Sequence, residues 1–195
     1  MVEISLRPAR LDDIPALERL IARSARLLSA ADYSEAQVEG ALRGAFGVDR
    51  QLLADATYFV CERAGELLAC GGWSFRATLF GGDARPGRDD SRLDPASEPA
   101  RIRAFFVAPE FARCGLGSRL LMHCETEAQA HGFRRCALMS TLPGVRLYRR
   151  HGYVAAEPIE YPLAPGLTIR FVPMEKNLPT PAAPAAHAAP IHGRL

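Results

Sequence analysis

Lysine is almost missing from this chain: arginine supplies 23 of the 24 basic residues, and Lys176 stands alone. With abundant alanine and proline, that bias fits a GC-rich bacterial genome and carries no function by itself. No run of 18 apolar residues occurs, so a membrane-spanning helix and a membrane partner are not expected. The start, "MVEISLRPAR", lacks the charged-then-apolar pattern of a secretion signal. The reading is therefore a cytoplasmic protein. The five cysteines, Cys61, Cys70, Cys114, Cys124 and Cys136, form no CxxC pair and are odd in number, which favours free thiols in a reducing compartment. Close ligand pairs for zinc are missing too, and the adjacent His123 and Cys124 cannot both face one metal from a helix, so no metal is expected. A net charge of +2 is too small an excess to mark a nucleic-acid binder.

What is present suits one α/β domain: 195 residues, 48% of them hydrophobic. "VEISLRPA" alternates as a strand, and residues 11–28 carry Ile14, Leu17, Leu20, Ile21 and Leu28 near helical spacing behind Asp12 and Asp13. A weaker helix covers residues 34–45, and "TYFVCERAGELLACGGWSF" reads as a hairpin turning at Arg63–Glu66. Residues 81–100, rich in Gly, Pro and Asp, form a long loop, either a functional lid or simply a mobile segment. Beyond it "RIRAFFV" is a strand. A helix over 115–131 shows Leu116, Leu120, Cys124 and Ala128 on one stripe. The strand "FRRCALMS", the short helix "GVRLYRRHG" and a final strand pair, "YVAAEPIEYPL" and "LTIRFVPMEK", complete the order β-α-α-β-β-β-α-β-α-β-β. The domain is expected over 1–177, and the Pro/Ala-rich tail 178–195, with almost nothing to bury, is expected to be disordered.

The stretch "FFVAPEFARCGLGSRLL" poses the chemical question, because it opens a helix with Gly115-Leu116-Gly117 although each glycine costs a helix about 1 kcal/mol against alanine. Bare backbone at a strand-to-helix turn makes an anion site, since the first helical N–H groups lack partners and the dipole is positive there. Arg113 could add a charge-assisted bond. Two familiar phosphate loops fit poorly. No lysine follows the glycines, as a P-loop requires. Leu120 stands where the dinucleotide fingerprint needs its third glycine. A tight turn without a ligand stays open on this stretch alone.

A second stretch, "LYRRHGY" at 147–153, follows after one helix and one strand. Together the two resemble the GNAT family of N-acetyltransferases. The family's Gln/Arg-x-x-Gly-x-Gly/Ala motif aligns with Ala112-Arg113-Cys114-Gly115-Leu116-Gly117. Its later apolar-Tyr-x3-Gly-aromatic motif aligns with Leu147-Tyr148-Arg149-Arg150-His151-Gly152-Tyr153. The order of elements matches over roughly residues 2–176. One departure is Ala112, where the family usually has Gln or Arg. The resemblance implies a single-domain fold with a mixed, mostly antiparallel sheet flanked by helices, and acetyl-CoA as co-substrate. It places the pyrophosphate on the amides of Arg113, Cys114, Gly115, Leu116, Gly117 and Ser118. The pantetheine arm would pair with the backbone of Phe105, Phe106 and Val107 as an added strand does. The acetyl group would enter a splay between that strand and "RRCALMS".

The resemblance also implies roles in the reaction, acetyl transfer to the amine of a small-molecule acceptor. The Val107 N–H would stabilise the developing oxyanion, and Tyr148 would protonate the leaving thiolate, unless it is merely a core aromatic. The glutamate base of some members falls at Arg101, so this chain lacks it and protein lysines become a less expected substrate; Glu62, Glu98 and the acids of the 81–100 loop remain open as bases. Arg101 and Arg103 share one strand face, either lining the acceptor cleft for an anionic group or pairing with the acidic loop. Trp73, with Phe75, either walls the acceptor pocket or packs in the core. Cys114 reads as a small residue before it reads as a redox one. A sensor that binds coenzyme A without transfer, and an enzyme using a longer acyl group, are the alternatives. Members often dimerise, so a homodimer is possible.

Overall fold

The computed structural model describes residues 3–179. Strand β1 (Ser5–Pro8) leads through a 3-10 turn into α1 (Ile14–Leu28), then α2 (Glu35–Leu42) and α3 (Arg50–Ala54). Strands β2 (Tyr58–Arg63), β3 (Glu66–Ser74) and β4 (Ala100–Val107) follow, then α4 (Leu116–Ala130), β5 (Arg135–Thr141) and α5 (Val145–Arg150). Strands β6 (Val154–Ala155), β7 (Ile159–Ala164) and β8 (Leu167–Asn177) close the chain. The eight strands form one sheet in the order β1-β2-β3-β4-β5-β8-β6, with β7 also on β8. Only β4 and β5 run parallel, as a pair joined by α4 must. This is the mixed, mostly antiparallel sheet flanked by helices that the sequence implied.

Three details differ from the sequence reading. Asp49 caps an additional short helix, α3, accepting from the Gln51 N–H at 3.1 Å. The strand expected over "YVAAEPIEYPL" breaks into β6 and β7 around Glu157-Pro158. Leu178, the first residue of the expected tail, is buried in the core, and its N–H donates to the Arg134 carbonyl at 2.8 Å. The rest of the expected tail, 180–195, lies outside the described residues.

Both sheet faces are covered. On one, α4 lays the expected stripe of Leu116, Leu120, Cys124 and Ala128 over Phe59, Ile102 and Leu138. On the other, Leu17, Leu20 and Ile21 of α1 and Val38 and Ala41 of α2 cover Tyr58, Val60, Cys70 and Phe171. The hairpin turns at Ala64-Gly65, with φ of 51° and 82°, the primed geometry that matches strand twist.

The feature that positions the site is a bulge. Strand β4 pairs with β3 at Gly72↔Arg103 and again at Cys70↔Phe106, so two β4 residues, Ala104 and Phe105, face the single Gly71. Ala104 adopts φ 57°, and its carbonyl accepts from the Tyr58 hydroxyl at 3.3 Å. An ideal Cβ on Gly71 would stand 2.7 Å from the Phe105 ring, so only glycine lets that ring cross the strand. Gly71→Ala is therefore expected to cost about 1–3 kcal/mol, read as a melting temperature lower by about 2–12 °C.

Candidate active site

Strand β4 stays on β3 as far as Val107, but it pairs with β5 only over Ala100–Ile102. Beyond Ile102 the two parallel strands part. A cleft of about 460 Å³ runs through the gap, lined by β4 from Ile102 to Val107, by Arg113 and the Gly115–Ser118 turn, and by α5 through Arg146, Tyr148 and Arg150. Its far side is walled by Ser24 and Leu28 of α1 and by its C-cap Ser29, together with Phe46, Phe80, Met139 and Phe171.

At one end, α4 opens on Gly115 at φ 85°, preceded by Arg113 at φ 63°. Gly115 has no side chain to cap the helix, so the N–H groups of Leu116, Gly117 and Ser118 keep no partner within it. A Cβ on Gly117 would come within 3.2 Å of Leu147, so this glycine lets α5 close against the turn. His151 Nε2 bonds Ser118 Oγ at 2.9 Å and fixes the same contact. Cys114 is exposed and free, and all five cysteines are unpaired.

In the gap, the edge of β4 facing β5 has no strand partner from Arg103 onward. The Val107 N–H, expected to meet a reacting carbonyl, donates instead to Ser24 Oγ at 3.2 Å. Ser24 is buried in α1, and nothing local in the sequence marks it. Tyr148 is also buried, its ring edge-on to Phe105 at 6.3 Å and to Tyr153 at 5.7 Å. Burial pushes its phenol well above the ordinary 10 and keeps it neutral.

The expected acceptor residues separate. Trp73 is fully buried on the α4 side, against Phe75, His131 and Phe133, and packs the core rather than the cleft. Arg101 shares its strand face with Arg103 but sits where β4 and β5 are still paired, opposite Ala137, outside the cleft lining. Arg103 borders the cleft with its side chain turned into the protein. It lies 2.6 Å from the fully buried Asp49 and donates to the Gly81 carbonyl at 2.7 Å. Burial pulls its guanidinium down to about 10, and Asp49 opposes that shift. Its partner is thus Asp49 on the cap of α3, not the acidic loop. Arg88 reaches the same carboxylate at 2.9 Å.

That loop is neither a free lid nor loose. Thr78 and Asp89 exchange bonds at 2.8–2.9 Å, Asp83 N–H donates to the Val48 carbonyl at 3.0 Å, and Leu93 is buried. Its start, Phe80-Gly81, forms a wall of the cleft. Among the described residues no carboxylate lines the cleft, so Glu62, Glu98 and the loop acids stand outside it, whereas four arginines, Arg103, Arg113, Arg146 and Arg150, line it. Among the described residues no group of three potential metal ligands occurs, and no helix is long and apolar enough to cross a membrane.

Known proteins share this architecture. A GCN5-related N-acetyltransferase from Rhodopseudomonas palustris superposes with a TM-score of 0.66 at 19% identity, over 91% of this chain and 98% of that one. The PaiA N-acetyltransferase from Thermoplasma acidophilum, in complex with coenzyme A, gives 0.62 at 16% identity, over 90% and 99%. A GNAT family acetyltransferase from Brucella melitensis, in complex with acetyl-CoA, gives 0.53 at 17% identity, over 92% and 93%. At such identities these likenesses speak for the fold alone. No curated protein matches the sequence. The family model for the acetyltransferase (GNAT) family matches residues 25–153, which take in β4, the Gly115 turn and Tyr148. With two thirds of its length matched, the chain belongs to the GNAT family of N-acetyltransferases.

Proposed function

We propose that this enzyme moves the acetyl group of acetyl-CoA to the amine of a small-molecule acceptor by direct attack within a ternary complex. The observation that carries this reading is the cleft between β4 and β5, which joins the unpaired amides at Gly115 to a buried phenol at Tyr148. The turn fits a pyrophosphate: Gly115 supplies the positive φ and the N–H groups of Leu116, Gly117 and Ser118 supply donors, whereas the Cys114 N–H is donated to the Phe111 carbonyl at 3.3 Å. The free edge of β4 over Phe105, Phe106 and Val107 fits an extended amide-bearing arm. Acetyl-CoA supplies the activated thioester carbonyl.

The protein's own groups orient the attack and handle the proton. The Val107 N–H is the donor for the developing oxyanion, exchanging Ser24 Oγ for it. Tyr148 returns a proton to the departing thiolate. Its burial keeps that proton loaded at every working pH, and the same dry wall disfavours a bare thiolate. No carboxylate in the cleft serves as base, so the amine reaches the carbonyl already unprotonated, and the proton its nitrogen sheds on acylation passes through solvent and restores the Tyr148 phenol. The acceptor end is apolar, with Leu28, Phe46, Phe80, Met139 and Phe171. An amine with an apolar body suits it, and a polyamine, which needs an acid for its second cation, does not.

Acetyl-CoA at about 100 times its Kd is expected to stabilise the protein by about 2.7 kcal/mol, a rise in melting temperature of roughly 5–11 °C. A screen of amines for thiol release then separates transfer from mere binding: a sensor shows the rise and releases nothing. Propionyl-CoA and butyryl-CoA in the same screen test the longer acyl group. Tyr148→Phe is expected to lower kcat about 100- to 10,000-fold with Kd for acetyl-CoA nearly unchanged; unaltered turnover would remove the assignment. The pH profile gives an independent check. The rate should rise with the acceptor amine's own ionisation and hold level to about pH 10, the ordinary tyrosine value, because Tyr148 stays protonated beyond it. A fall between pH 8 and 10 would point to another acid.

A further inference from the structure

We propose that the Ser24 hydroxyl is a second hydrogen-bond donor to the oxygen of the reacting carbonyl, beside the Val107 N–H. The inference rests on the transfer reading above and adds to it a side chain from α1, outside both sequence motifs. Ser24 is buried, yet it lines the cleft together with Val107 and Tyr148. Its Oγ accepts the Val107 N–H at 3.2 Å. The sheet sets the direction of that amide. The next one, of Ala108, donates to the Leu68 carbonyl beside β4 at 2.8 Å. Successive amides of an extended strand point to opposite edges, so the Val107 N–H faces across the cleft toward α1.

That bond satisfies only half of the hydroxyl. A serine inside a helix commonly turns its proton back to the carbonyl three or four residues earlier, as Thr126 of α4 does to Met122 at 2.9 Å. Ser24 makes no such bond, and its proton has no acceptor among the described residues. A buried donor without an acceptor is costly. What it lacks is an oxygen, and the reaction brings one. An oxygen that accepts from the Val107 N–H at about 2.9 Å forms a triangle with the amide nitrogen and with the Oγ 3.2 Å from it. The amide is then shared in a three-centre bond, and the Ser24 O–H spans the third side. Ser24 keeps its proton throughout, and Tyr148 still supplies the one that the thiolate takes. The contact strengthens as negative charge builds on the oxygen, so it favours the transition state over the bound substrate.

The competing role is that Ser24 only occupies the Val107 N–H while the cleft is empty. The two roles have opposite consequences: Ser24→Ala removes a donor in one and frees the amide in the other. Alanine is smaller and the best helix former, so this variant is expected to fold. Ser24→Cys is the second variant, close in shape but with a feeble donor. Both are compared with the native chain, using an amine returned by the thiol-release screen. Ser24→Ala is expected to lower kcat and kcat/KM together, by about 100- to 1,000-fold, with Kd for acetyl-CoA nearly unchanged. Ser24→Cys should also be slow. Unchanged or faster turnover of Ser24→Ala overturns the inference and leaves the transfer reading standing. So does a native rate in Ser24→Cys, which assigns the residue to shape, and so does a loss of acetyl-CoA affinity as large as the loss of kcat/KM. If Ser24→Ala does not fold, Ser24→Cys decides alone. A native protein that binds acetyl-CoA and releases thiol with no amine overturns the transfer reading, and the second donor with it.

Discussion

The parting of β4 from β5 after Ile102 is the constraint on which the rest depends. It is held from both sides. β3 keeps β4 through Val107 by way of the bulge at Ala104, and β8 keeps β5 in register from Arg135 to Thr141. Neither strand can swing across to close the gap without breaking a ladder that satisfies its backbone. The cleft is therefore built into the sheet. The bulge pulls β4 out of line, Gly71 gives the Phe105 ring its room, and the Tyr58 hydroxyl meets the carbonyl that the bulge leaves over. Each helix then has a fixed edge to work against: α4 delivers its bare N-terminus at the end of β4, and α5 delivers Tyr148 at the end of β5.

What the sequence disclosed about this arrangement was local. The stripe on α4, the Ala64-Gly65 hairpin and the helix-opening glycines all express themselves within one or two turns of chain, where periodicity and positive φ leave a mark. The two motifs carried the family because they preserve the same local geometry at a fixed separation. Partners far apart in sequence left no such mark. Asp49 signals a helix cap, yet nothing at 49 or 103 says that its carboxylate holds Arg103 across the fold. Trp73 and Phe75 alternate as a pocket wall would, but the helix covering Trp73 turns that face into core. Ser24 looks like one more polar residue on α1 until β4 packs against it. The loop after β3 has the composition of a free segment, and tertiary hydrogen bonds from Val48 and Gly44 overrule it.

The charges along the cleft add a last step. Arg113, Arg146 and Arg150 gather at the α4 and α5 end, Arg103 is turned into the protein onto the Asp49 carboxylate that it shares with Arg88, and the far side is largely apolar. An empty cleft of this kind repels a cation, and an amine near neutral pH is mostly a cation. On the proposed reading, the polyanionic cofactor cancels the field that the acceptor would otherwise meet. Each ligand then raises the other's affinity by the same factor, since binding free energies are reciprocal. Such a cleft fills cofactor first without any moving part. The unprotonated amine that attack requires is also the form that a low-dielectric, acid-free wall favours. One exclusion, of carboxylates from the cleft, thus bears on binding order and on the protonation state of the nucleophile together.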